Sequence, residues 1–178
     1  VNNTIYKSGL FLTLGSVEKQ TGSSDLDDLG GLARNMPITF LMALIAALSI
    51  SGIPPFNGFF SKWMIYQGML DMASALPAGY QTWMMVCLVL AVFGSALTLA
   101  SFLKFIHAIY LGKRPEKLEH VKKAPFNQWL ATGVLSVLCI GFGLFAVRVP
   151  LNLFIYPVLS ANGMALPEFT GLYQPVQV

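Results

Sequence analysis

The stretch SGIPPFNG at 51–58, followed closely by Lys62, puts a backbone break and a cation inside a long apolar run. Pro54 and Pro55 have no N–H, and Gly52 and Gly58 admit close approach by other chain segments or by water. A break frees carbonyls and amides. In hydrocarbon each unsatisfied group costs several kcal/mol, so a break persists only against protein or a water-filled cavity. Lys62 sits seven residues past Pro55 and ten before Met72, roughly 15 Å from the end of its half-helix and too deep to snorkel. A lysine at that depth is costly and marks an ion or proton path. The expectation is a wet pocket at 51–55 in which Lys62 holds and passes a proton.

Lys7 repeats the pattern, eleven residues before Glu18 and about 16 Å from the end of its apolar segment. Two lysines on neighbouring helices couple, because a proton on one disfavours a proton on the other. Lys104 and His107 are three apart and share a helix face. They are candidates for a relay at the helix end, with snorkelling of Lys104 as the competing reading. Arg148 reads as an interfacial anchor and His120 as a solvated loop residue.

The elements that must hold these residues are membrane helices. Of 178 residues, 55% are hydrophobic and only 11% are charged, less than half the share expected of a soluble domain, and mean hydropathy is +0.65. The net charge of +3 comes mainly from one loop, which indicates membrane topology and not a nucleic-acid footprint. Cys87 and Cys139 each lie in an apolar run without a CxxC neighbour. No disulfide framework, metal site or redox cofactor is therefore expected in this chain, and both cysteines are expected as small core residues.

The expected fold is all-α, a polytopic transmembrane bundle with one discontinuous helix. Its spans are about 1–17, 37–72 broken at 51–55, 81–112 and 126–149, with an apolar tail beyond Pro150. Pro37 suits a helix start. A continuous helix over 37–72 would be roughly 54 Å long, too long for one straight span and short for two. A broken, tilted span fits best, with a re-entrant hairpin as the alternative. Trp83 and Trp129 fall near span starts, where interfacial aromatics belong. The loop at 113–124 carries Lys113, Arg114, Lys117, Lys122 and Lys123, whereas the SALPAGY loop carries no Lys or Arg. The positive-inside rule then places 113–124 in the cytoplasm and the tail outside. The opening at Val1 reads as a helix already under way, part of a longer protein.

NNTIYKSGLFLTLGSV, then LGGLARNMPITFLMALIAALSISGIPPFNGFFSKWMI, resembles the later helices of the antiporter-like, proton-translocating membrane subunits. These occur in respiratory complex I, Mrp sodium/proton antiporters and membrane-bound hydrogenases. The shared pattern runs HxxxKxxLFL.xGSV, then a GGL…P loop, then GxPPFxGFxSK. GSALTLASFLKFIHAIYLG resembles the following helix, closer to the hydrogenase and Mrp branches. The resemblance implies that Lys7 is the lysine of the eleventh of fourteen helices and Lys62 the lysine or glutamate of the broken twelfth. It also implies that 1–178 is a single membrane domain, the C-terminal portion of a larger subunit. Asn3 stands where the pattern often has histidine, and the earlier glutamate–lysine pair falls outside this chain. The implied setting is an integral multi-pass protein of a prokaryotic cytoplasmic membrane, partnered by other membrane subunits and moving protons or sodium in a redox-driven complex. An Mrp-type antiporter subunit is the alternative, and a structural membrane segment the third reading.

Overall fold

A computed structural model describes residues 1–163, so the end of the apolar tail lies outside the described residues. Among the described residues the regular structure is entirely helical: α1 Asn2–Thr21, α2 Pro37–Ser51, α3 Asn57–Ala75, α4 Ala78–Ile106, α5 Phe126–Leu144 and α6 Tyr156–Ala161. Among the described residues two stretches, Gly79–Leu111 and Phe126–Leu144, are long and apolar enough to cross a membrane; α2 is apolar but shorter. The chain divides into two units, Val1–Leu144 and the segment from Phe145 onward.

In the first unit α1 packs on α2 and α5, α2 also meets α4 and α5, and α3 meets α4 and α5. Small residues make this possible. A side chain at Gly9 would touch Ala46 and Leu135, and Ala43, Ala46 and Ala47 are buried. Where lipid replaces water, such close backbone approach and van der Waals contact do the packing. Outside the spans water again drives burial. Leu29, Leu32 and Leu118 from the loops are buried in the same core as Ile106, Ile109 and Tyr110, and full burial of such a side chain contributes about 1.5–3 kcal/mol.

The helix ends follow local chemistry. Pro37 opens α2, where its missing N–H is no loss. Gly22 closes α1 with φ 74°, its N–H on the Glu18 carbonyl. After Ile106 the backbone widens over His107–Leu111 into a π turn, and Gly112 N–H reaches back to the His107 carbonyl at 2.7 Å. The continuous helix expected over 81–112 therefore starts earlier, at Ala78, and finishes in this wider turn.

In the second unit, Val147–Ile155 is again widened, with Pro150 inside it. Proline lacks the N–H and crowds the carbonyl four residues back. The next amide, Leu151, bonds the Ala146 carbonyl at 3.2 Å instead. This is why α5 stops at Leu144 and not near residue 149. Arg148 is exposed in this widened turn.

One expectation about packing is corrected. Cys139 is buried, but Cys87 is exposed. It lies on α4, most of whose surface the chain's own helices leave uncovered: Trp83, Val89, Leu90 and Phe93 are all exposed.

Candidate functional site

The break between α2 and α3 is built as a stop and a restart. Gly52 adopts φ 80°, a conformation that costs glycine little. Gly52 N–H bonds the Ser49 carbonyl at 3.1 Å and Ile53 N–H bonds the Leu48 carbonyl at 3.1 Å. This is the paired bonding of a Schellman cap. The Ser51 carbonyl lies beyond that pair, and Lys62 takes it: Nζ donates to Ser51 O at 3.0 Å. The cation thus sits at the negative end of the α2 dipole. Its stem passes directly over Gly52, where a methyl group would lie 2.7 Å from Cδ. Lys62 is half-buried and Ser51 buried.

Protein atoms close two sides of the break. Gly58 presses its bare Cα against the Ser49 carbonyl, and Gly143 of α5 presses against the Pro55 carbonyl. Pro54 and Pro55, joined by a cis peptide, remain exposed. On the Ser49 and Gly143 sides the break is therefore filled by the chain's own backbone.

Three polar residues missed in the sequence tie the restart to α1. Asn2 Nδ2 donates to the Asn57 carbonyl at 3.1 Å and to Ser61 Oγ at 2.7 Å, and Asn57 Nδ2 donates back to Asn2 Oδ1 at 3.3 Å. Asn57 is wholly buried, and its Oδ1 has no partner among the described residues; Ser49, also buried, has its hydroxyl beside the Cys139 thiol. A buried polar group without a partner costs about 1–3 kcal/mol, so the Asn57 amide needs a reason to be there. The residue preceding Lys62 is thus held by α1. Asn2→Ala, which removes the donor to both the Asn57 carbonyl and Ser61 Oγ, is expected to lower the stability of the full-length protein by about 1–3 kcal/mol. Thermal unfolding in detergent measures this, and an unchanged melting temperature contradicts the link. One turn beyond Lys62, on the same face of α3, Tyr66 OH pairs with Ser95 Oγ of α4 at 2.5 Å. The signal for these residues was weak, since a single Asn, Ser or Tyr in an apolar helix has many uses.

The other predicted residues share no hydrogen bond with this cluster. Lys7 is exposed on α1 and has no hydrogen-bond or ion-pair partner among the described residues. Lys104, in the last turn of α4, and His107, at the start of the π turn, are both exposed. Among the described residues no group of His, Cys, Asp or Glu has the arrangement of a metal site. Along α3, Phe59 stacks on Trp63 and meets Phe60 edge-on.

Residues 3–98 match the family described as NADH:quinone oxidoreductase/Mrp antiporter, TM. The chain is 40% identical over 147 residues to the Na(+)/H(+) antiporter A1 subunit of Staphylococcus haemolyticus, covering 82% of this chain and 18% of that protein. It is 31% identical over 175 residues to a Na(+)/H(+) antiporter subunit of Bacillus subtilis, covering 97% of this chain and 20% of that protein. This chain therefore spans about a fifth of the length of these relatives. In fold it resembles a chain of the membrane-bound sulfane sulfur reductase, an archaeal respiratory membrane complex, with a TM-score of 0.72, 30% identity, and coverage of 99% of this chain and 32% of that one. A chain of the Mrp complex from a Dietzia species matches with a TM-score of 0.67 and 24% identity, covering 82% of this chain and 33% of that one. With the family match extending over more than half of its residues, the chain belongs to the NADH:quinone oxidoreductase/Mrp antiporter transmembrane family and is an integral membrane protein.

Proposed function

We propose that this chain is the later part of an antiporter-like subunit that moves protons, or exchanges sodium for protons, within a multi-subunit membrane complex. The observation that carries the proposal is the half-buried Lys62 cation seated on the Ser51 carbonyl at a helix break. A scaffold needs neither a lysine at that depth nor freed backbone beside it. Broken helices whose exposed C-terminal carbonyls meet cations are the recurrent ion sites of transporters. In this reading α2 and α3 are halves of one discontinuous helix in a polytopic bundle, since α2 at 15 residues is only about 22 Å long. The loop at 113–124 faces the cytoplasm on its excess of Lys and Arg. Lys7, exposed within this chain, lies against helices contributed by the rest of the subunit or by its partners.

The roles divide by position. Lys62 is the mid-membrane proton-exchanging group and Lys7 its neighbour in the row. Lys104 and His107 relay towards the cytoplasmic end. The test is exchange of sodium for protons by the full-length protein with its partner subunits in proteoliposomes, read with a pH-sensitive dye. A sodium gradient is expected to drive proton movement. An intact, correctly assembled complex that exchanges neither ion favours the scaffold reading. In the same assay His107→Ala is expected to slow exchange several-fold while leaving assembly intact, because histidine is the side chain suited to proton relay near neutral pH. An unchanged rate assigns His107 to packing.

A further inference from the structure

A second feature lies where the two polar loops meet, away from the helix break. Leu32 N–H and Ala33 N–H bond the carbonyls of Ile109 and Tyr110 at 3.4 and 3.0 Å, so the segment before α2 runs beside the π turn after α4. Two glycines permit the fit: Gly30 lies against the Lys113 carbonyl, and Gly31, at φ +62°, lies against Arg114 and the Gly112 carbonyl. Asn35 locks the arrangement, donating to the carbonyls of Glu119 and Val121 at 3.3 and 3.1 Å and accepting from Arg114 Nη1 at 2.9 Å.

These contacts border an open cavity of about 460 Å³ with Arg34, Arg114, Glu119 and Leu111 among its walls. Two guanidiniums face one carboxylate. Glu119 lies 3.8 Å from Arg114, and among the described residues Arg34 is exposed with no partner. The other acids of the two loops, Asp25, Asp27, Asp28 and Glu116, are not in its walls. Its depth is also defined. Arg34 stands three residues before α2 begins, and Leu111, 55% exposed, ends the apolar stretch Gly79–Leu111.

We infer that this cavity binds the phosphate headgroup of an anionic phospholipid. Planar guanidiniums match phosphate oxygens in paired hydrogen bonds. Arg114 is already oriented by Asn35, so little side-chain freedom is lost on binding. The exposed apolar surface at Leu111 gives the acyl chains a wall to lie along, which a free phosphate would not use. Lys113, Lys117, Lys122 and Lys123 in the same loop add long-range attraction for an anionic leaflet.

The test titrates the detergent-solubilised full-length protein with short-chain phosphatidylglycerol, phosphatidylcholine and inorganic phosphate, following bound lipid by native mass spectrometry. Arg34→Gln is the clean variant, because the Arg34 side chain makes no hydrogen bond or ion pair among the described residues, and an unchanged melting temperature checks its folding. Lys122→Gln with Lys123→Gln is the control for general charge. Phosphatidylglycerol is expected to bind in preference to phosphatidylcholine, about tenfold more weakly to Arg34→Gln, and nearly normally to the lysine pair. The inference is overturned if phosphatidylglycerol has no preference over phosphatidylcholine, as when an acidic segment of the assembled protein already fills the cavity. It is equally overturned if the lysine pair loses as much binding as Arg34→Gln. Inorganic phosphate competing on equal terms with the lipid overturns the assignment to lipid.

Discussion

Gly58→Ala is expected to separate α3 from α2 and to destabilise the full-length protein by about 3 kcal/mol, the upper end of overpacking costs. A methyl group at Gly58 would overlap the Ser49 carbonyl. That atom belongs to the backbone of a buried helix end and has no rotamer to change, so the two helices must part. Separation would also disturb the Asn57 and Ser61 contacts with Asn2, which lie on either side of Gly58. Gly143→Ala is expected to act in the same way from α5, because its methyl would overlap the Pro55 carbonyl. Gly68 on α3 and Gly141 on α5 are the controls, since a methyl at either meets nothing within 4 Å. Alanine at those two sites is expected to be neutral or to stabilise by up to about 1 kcal/mol through helix propensity. Thermal unfolding of the four variants decides the matter. Equal melting temperatures for Gly58→Ala and Gly68→Ala would mean that the close approach at the break does not exist.

Lys62→Ala is expected to abolish ion movement while leaving the protein folded and inserted. The structural loss is one hydrogen bond to the Ser51 carbonyl. A buried acceptor left alone costs about 1–3 kcal/mol, and removing a charge from an apolar helix offsets part of that. The functional loss is larger in kind, because alanine holds no proton. Lys62→Glu separates the two roles. A carboxylate cannot donate to Ser51 as the ammonium does, yet it still exchanges a proton. Partial transport by Lys62→Glu with none by Lys62→Ala assigns the function to proton exchange and not to the cap.

The sequence carried the positions of the break and the cation, and the structure supplied their partners. Pro37 and Gly52 act through their own backbone chemistry, so a helix start and a helix stop could be read from residue type alone. Lys62 stood out because a charge at that depth is costly wherever the chain goes. Its contact with Ser51 was not legible, since either water or protein could have met the freed carbonyl. The approach of Gly143 to Pro55 was hidden in the same way, because it depends on where α5 packs. Asn2 and Asn57 are 55 residues apart, and no local pattern links them. Cys87 was misplaced because an apolar run looks the same facing a partner, lipid or its own core. Arg114 was counted as a loop charge and Arg34 was not singled out, and only the pairing of the two loops makes them walls of one cavity.

The most direct test of the account is proton movement in proteoliposomes containing the complete assembly, comparing wild type, Lys62→Ala and Lys62→Glu at equal protein incorporation. The account predicts transport by the wild type, none above background for Lys62→Ala, and a reduced but measurable rate for Lys62→Glu. Wild-type transport by Lys62→Ala through an intact complex would contradict it, and would leave the break between α2 and α3 as a packing feature.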